Sequence, residues 1–353
     1  ERELYSFEAS DLGTVFHETL KLYSGLLEKS PYTWFDIPED AENELLRQSV
    51  EASMKTADIL YSTARYQYLI HRITRIMERT VHMLTKQVRK GLFKPNNFEF
   101  SFATQTDFHS LNIRLSEEEE MHLAGRIDRV DTYEDKDKVY VKIIDYKSGN
   151  KSFDMAAIYY GLELQLVVYM NAAIEMQQKE HPDKEIIPAG VLYYHIDDPI
   201  IDTPKQLSDE EIEEQIQKEL VMRGLVNSDQ DILAMIDQEF QDSSTVIPVS
   251  KTSKGEFSKS SSIATTEQFY LLSNFVNQKI AEMGSQILSG RIEQNPCVTQ
   301  KQDACTYCDF HSICQFDERE QSAEKRQLDK LSAENALAGM NMSLHKKSDG
   351  EEV

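Results

Sequence analysis

The sequence predicts an α/β fold, a mixed central sheet flanked by helices, and three observations carry that prediction. From residue 98 to 147 the apolar residues recur with the period of strands, and they do so again at 190–196. Long stretches on either side follow the helical period instead. A helix placed between strands implies a sheet with helices packed on it.

Residues 10–28 read as the first helix, capped by Ser10 or Asp11 and carrying His17 within "LGTVFHETL". After a Pro-containing loop at 31–38, helices are expected over 40–60 and 62–91. The latter sets Leu69, Ile73, Ile76, Met77, Val81, Leu84 and Val88 at helical spacing, with Arg65, Arg72, Arg75, Arg79, Lys86 and Arg89 opposite. Between Arg65 and Lys94, eight Lys or Arg stand against one acid, Glu78. A solvated face accounts for this; a surface for DNA phosphates or for a neighbouring domain is the alternative.

"FEFSFAT", "HSLNIRLS", "MHLAGRIDRVDTYE" and "KVYVKIIDYK" then read as four successive strands. A helix is expected from about 154 to 178 and a fifth strand at "GVLYYHI", 190–196. Helix returns over 207–242, opened by a capping box of Ser208 and Glu211. The polar stretch 249–265 reads as a hairpin or mobile loop, and 266–289 as another helix. The charged tail after 320 is expected to be helical at first and to fray before "HKKSDGEEV". The organisation expected is a helical part carrying the histidine (1–97), a core of sheet and helix (98–200), a helical and hairpin insertion (201–290), a cysteine cluster (291–320) and the tail (321–353). No internal repeat is present.

With 353 residues, 40% hydrophobic and 28% charged, the chain has material for a sizeable core. Its net charge of −23 argues against a polyanion binder as a whole, although a local groove can differ from the average. No run of 18 apolar residues occurs, and no GxxxxGK[ST] motif, so no P-loop ATP motor is encoded here. The opening "ERELYSFEAS" lacks both signal-peptide character and an initiator Met, and reads as the interior of a longer protein.

The chemistry starts at "VYVKIIDYKSG". A strand with the apolar character of a buried one ends in Asp145 and Lys147, which alternation puts on one face. Such an arrangement is costly unless something is bound there. Asp128, in "GRIDRVD" on the preceding strand, meets Asp145 at one end of the sheet if the two strands are neighbours. Paired carboxylates suit Mg²⁺ or Mn²⁺, and Lys147 can stabilise charge on a phosphate. A D-x-K triplet alone is worth little, since a salt bridge at a strand end explains it. His17 alone is an ordinary helix histidine, and beside two carboxylates it becomes a third ligand. Gln165 and Tyr169 share one helical face, read either as packing or as contact with the substrate backbone.

All four cysteines, Cys297, Cys305, Cys308 and Cys314, lie within 18 residues, which points to a metal and not to scattered disulfides. The spacing leaves zinc and an iron–sulfur cluster both open.

Taken together, "GTVFHETL", "GRIDRVD", "IIDYKSG" and "QLVVY" resemble the RecB-type nucleases of the PD-(D/E)xK superfamily. "ACTYCDFHSICQFD" narrows the resemblance to the nuclease domain of the B subunit of AddAB-type helicase–nucleases, over residues 8–320. The resemblance implies a restriction-endonuclease-like core with helical additions. It implies that His17, Asp128, Asp145 and the backbone carbonyl of Tyr146 hold Mg²⁺ or Mn²⁺, that Lys147 is the catalytic lysine, and that Gln165 and Tyr169 lie near DNA. The reaction implied is exonucleolytic hydrolysis of DNA phosphodiesters, mainly on a single strand fed by a helicase, during double-strand break resection and recombinational repair in the cytoplasm. The partner implied is the helicase–nuclease A subunit. A 4Fe–4S cluster is implied on Cys305, Cys308 and Cys314, with a fourth cysteine that would precede Glu1. Cys297 is then an unrelated thiol, or else it closes a local four-cysteine site. Two rivals stand beside this reading: a catalytically silent DNA-binding scaffold with an iron–sulfur or zinc site, and a zinc-stabilised interaction domain with a chance D-x-K.

Overall fold

The computed structural model describes residues 9–56, 64–102, 108, 111–203, 207–300, 303–306, 308–317, 319 and 324–348. Three helices come first: α1 (Ala9–Glu28), α2 (Glu39–Thr56) and α3 (Ala64–Arg89). Each buries one stripe at helical spacing: Phe16, Leu20, Tyr23 and Leu27 on α1, Leu46, Val50 and Met54 on α2, and Ile73, Met77, Leu84 and Val88 on α3. Part of the basic face of α3 is ion-paired while Arg72 and Arg75 stay exposed. Arg75 Nε lies 2.6 Å from Asp198 Oδ2, and Arg79 and Lys86 reach the Glu213 carboxylate at 3.1 and 2.7 Å.

Strands β1 (Lys94–Ser101), β2 (Asn112–Arg114), β3 (Glu120–His122), β4 (Arg126–Glu134) and β5 (Lys138–Lys147) follow. The expected strand over 121–134 is two, separated at Gly125, where the Phe102 ring packs too closely for a side chain. The single helix expected at 154–178 is also two, α4 (Met155–Tyr159) and α5 (Gln165–Glu180). Left-handed backbone at Gly161 (φ 83°) and Glu163 (φ 53°) breaks it.

Next come β6 (Glu185–His195), α6 (Asp209–Glu219), β7 (Arg223–Asn227) and α7 (Gln230–Ile236). The capping box at Ser208 and Glu211 is present. The long helix expected at 207–242 is instead interrupted by a buried strand. Gly224 explains why: a Cβ there would lie 2.0 Å from the Val191 carbonyl, so only glycine lets β7 approach β6. The remaining elements are β8 (Ile263–Ala264), α8 (Thr266–Leu288), β9 (Cys297–Val298), α9 (His311–Cys314), β10 (Arg326–Gln327) and α10 (Ala333–Ser348). The tail helix therefore starts later than expected and continues through His345.

The chain divides into two compact units. The first comprises Glu1–Gln105, Ala124–Phe153 and Tyr169–Phe269; the second comprises Thr106–Leu123, Asp154–Val168 and Tyr270–Val353. In the first unit the six strands run in the order β1-β4-β5-β6-β7-β8. The β5–β6 and β7–β8 pairs are parallel and the others antiparallel, so the sheet is mixed. On one sheet face Tyr140, Ile144, Tyr146, Leu192 and Tyr194 join the core with α1, α2 and α3.

Three charges are buried on that same face. Arg129 makes a two-point contact with Asp131, at 2.6 and 2.8 Å, and Lys142 Nζ lies 3.2 Å from Asp131. The Arg129 guanidinium also sits 5.3 Å from the Trp34 ring centre. Burial pushes the Lys142 pKa down against the pull of Asp131.

In the second unit β2 and β3 form a hairpin, β9 pairs with β10 in parallel, and α4 packs on α10. Asp154 caps α4 by accepting from the backbone of Ala156 and Ala157.

Candidate active site

Strands β4 and β5 place the acids. Their antiparallel register pairs Arg129 with Ile144, and its next step sets Asp128 opposite Asp145. Both carboxylates are buried, with residue exposures of 6% and 2%. Asp128 Oδ2 accepts the Tyr146 backbone N–H at 2.7 Å, which fixes its orientation. Asp145 Oδ2 is paired with the ammonium of Lys147, two residues along the same strand.

Helix α1 brings His17 over this strand end, its ring edge-on to that of Tyr146. His17 Nδ1 lies 3.2 Å from Asp128 Oδ1 and 3.3 Å from Glu99 Oε1. Glu99 is a site residue that the sequence reading missed. It sits on β1 between Phe98, opposite Arg129, and Phe100, opposite Ile127, and so faces Asp128 across the pair. Its backbone is left-handed (φ 51°), and Arg126 Nε holds its other oxygen at 2.6 Å. The signal available was a lone acid inside the strand pattern "NNFEFS", weak without knowing which strand pairs with β4.

Ligand atoms of His17, Glu99 and Asp128 all lie within 4.8 Å of one another, and among the described residues this is the one such group of three. A nitrogen placed between two carboxylates either presents a proton to them or gives way to a cation. Burial works against the imidazolium, but hydrogen bonds and charge from Asp128 and Glu99 outweigh it and raise the His17 pKa to about 10. Burial and the neighbouring Asp128 charge raise the Asp145 pKa to about 6, with Lys147 and His17 opposing. The two carboxylates and one imidazole of this group are donors suited to a hard divalent ion such as Mg²⁺ or Mn²⁺, and Asp145 lies outside the group.

The other sequence-predicted residues fall as follows. Gln165 opens α5, exposed, and Tyr169 lies one turn on with its ring edge-on to Phe102 at 5.8 Å. None of the four cysteines is in a disulfide. Cys297 lies in β9, Cys305 in a turn, Cys308 is exposed, and Cys314 ends α9. Their sulfurs do not meet as a group of three within that ligand distance.

The pattern that defines the PD-(D/E)XK nuclease superfamily matches residues 2–315. The chain is 38% identical over 345 residues to the B subunit of the ATP-dependent helicase/deoxyribonuclease of Lachnoclostridium phytofermentans, covering 95% of this chain and 29% of that protein. It is 38% identical over 319 residues to the corresponding B subunit from Thermoanaerobacter pseudethanolicus, covering 90% and 28%. With that of Alkaliphilus metalliredigens the identity is 36% over 350 residues, covering 98% and 30%. The chain thus spans less than a third of the length of these relatives.

Proposed function

The chain belongs to the PD-(D/E)XK nuclease superfamily, and on that premise we propose that it is a metal-dependent deoxyribonuclease hydrolysing DNA phosphodiesters. One observation carries the reading: His17 from α1, Glu99 from β1 and Asp128 from β4 converge, opposite an Asp145 paired with Lys147. Bound there, Mg²⁺ or Mn²⁺ would polarise the scissile phosphate and lower the pKa of the attacking water. His17, Glu99, Asp128 and Asp145 hold the ion, with the Tyr146 carbonyl as a further oxygen. Lys147 is oriented by Asp145 and places its ammonium where negative charge builds on the phosphate. Gln165 and Tyr169 contact the DNA.

The relatives are B subunits of ATP-dependent helicase/deoxyribonucleases, which supports a wider setting. In it the chain acts as an exonuclease on a single strand delivered by a helicase, beside a partner A subunit, in recombinational repair of double-strand breaks in the cytoplasm. No helix among the described residues is long and apolar enough to cross a membrane. The resemblance to these B subunits favours a 4Fe–4S cluster on Cys305, Cys308 and Cys314, with Cys297 left aside, where the spacing alone fits zinc equally.

The test is cleavage of end-labelled single-stranded DNA with Mg²⁺ or Mn²⁺. Cleavage by the native chain, abolished by EDTA and by Asp145→Ala, is the expected result. Cleavage that survives Asp145→Ala refutes the assignment.

A further inference from the structure

The first unit carries a cleft of about 690 Å³, within the roughly 300–1,000 Å³ of small-ligand sites. It is walled by α1, by β1 and by the loop between α1 and α2. Both elements run into it from the candidate active site. On α1, Lys21, Gly25 and Glu28 follow His17 at four, eight and eleven residues, along one side of the helix. On β1, Lys94 lies five residues before Glu99, about 16 Å along the strand. The cleft therefore lies along the same two elements, beyond the metal-ligand residues, none of which lines it.

Its walls have the chemistry of a single-strand groove, which combines cations for phosphates with aromatic faces for bases. Of its lining charges two are cations, Lys94 and Lys21, the latter also paired with Glu18 at 3.3 Å, and one is an anion, Glu28. Tyr32 and Phe35 are exposed at its rim, with 37% and 36% of their surface open. The loop that presents them is tied down: the Asp36 carboxylate accepts from the Thr33 backbone and hydroxyl, at 2.6 and 2.8 Å. Asn97 adds an amide for base edges. Gly25 is the second sign. It lies in the last turn of α1, three residues before its end, and a Cβ there would meet nothing within 4 Å. No packing neighbour requires glycine at that point, and any side chain there would project into open cleft.

We propose that this cleft is a subsite for single-stranded DNA, holding nucleotides a few positions from the scissile phosphate. Lys21 and Lys94 take phosphates, and Tyr32 and Phe35 stack bases. The proposal rests on the nuclease reading for its position and is tested separately from it. Trp34 is the chain's single tryptophan, lines the cleft and stacks on Phe98, so it reports binding without a label.

The experiment is a fluorescence titration of the full chain carrying Asp145→Ala with oligothymidylate, alongside cleavage by the native chain. Saturable change of Trp34 emission is expected. Phe35→Ala should weaken binding by roughly five- to a hundredfold, the value of one stacked base. Gly25→Leu should weaken it by about tenfold or more without lowering the melting temperature, since a Cβ there meets nothing within 4 Å. Lys21→Ala with Lys94→Ala should flatten the dependence of log K on log salt by about 0.7 for each lysine. If Gly25→Leu melts lower, Phe35→Ala and the salt slope decide alone. Cleavage by the native chain with no change of Trp34 emission overturns the cleft and leaves the nuclease standing. Emission change without cleavage overturns the nuclease and leaves the cleft. Affinities untouched by Phe35→Ala and by the lysine substitutions, or duplex DNA binding as well as single strand, overturn the subsite.

Discussion

Metal binding should release about one proton per ion, and that number follows from where His17 sits. Without a cation its Nδ1 shares a proton with Asp128 and Glu99, and its pKa is raised to about 10. Asp145 titrates near 6. A raised histidine pKa means the proton is bound throughout the neutral range and is lost only as pH climbs through the folded value, so a cation ligated by Nδ1 must displace it. At pH 7 His17 is almost wholly protonated and Asp145 roughly a tenth, so about 1.1 protons leave per ion; at pH 6 about 1.5 do. The logarithm of the binding constant should therefore rise with pH at a slope of about 1 between pH 7 and 8.5. Calorimetry of Mg²⁺ or Mn²⁺ binding in two buffers of different ionisation enthalpy counts the protons directly. His17→Ala should drop the count at pH 8 to a small fraction of a proton, from Asp145 alone. A count near zero at pH 8 in the native chain would refute the argument, because a histidine with an ordinary pKa would already have lost its proton there.

Further outcomes follow from other residues. Lys147→Met should lower turnover of single-stranded DNA by about 10²–10³-fold while Mn²⁺ binding persists, as separate activity and binding assays would show. Arg129→Ala leaves the Asp131–Lys142 pair buried without the guanidinium and should cost about 3–5 kcal/mol in urea denaturation; a loss below about 1 kcal/mol contradicts the account of that cluster. Gly224→Ala should cost at least about 3 kcal/mol by the same measurement, because the new Cβ would meet the Val191 carbonyl and a strand backbone cannot yield as a side chain can.

The parts of the fold that could be read from the sequence are those where one local signal dominates. The apolar run of β5, the stripe of α3 and the capping box at Ser208 each stand on residues close in the chain. The misreadings share a physical cause. The strand β7 lies in "VMRGLVNS", whose apolar residues fit either period, and only the contact of Gly224 with β6 decides it. The break between α4 and α5 depends on a left-handed Glu163, a residue with no marked preference for that conformation. At the candidate site, Asp128, Asp145 and Lys147 were legible because alternation along two adjoining strands sets their faces. Glu99 was not legible. Its place opposite Asp128 is a consequence of β1 pairing with β4, a contact between segments about thirty residues apart, and of a backbone angle that pattern does not encode.

The central claim is that His17, Glu99, Asp128 and Asp145 hold one divalent ion. Anomalous scattering from crystals soaked in Mn²⁺ tests it most directly. The account predicts a peak within about 2.0–2.4 Å of the His17 imidazole and of Asp128 and Asp145 oxygens, with Glu99 at or beside it. A saturating soak that leaves this position empty, or that places the ion elsewhere on the chain, would contradict it.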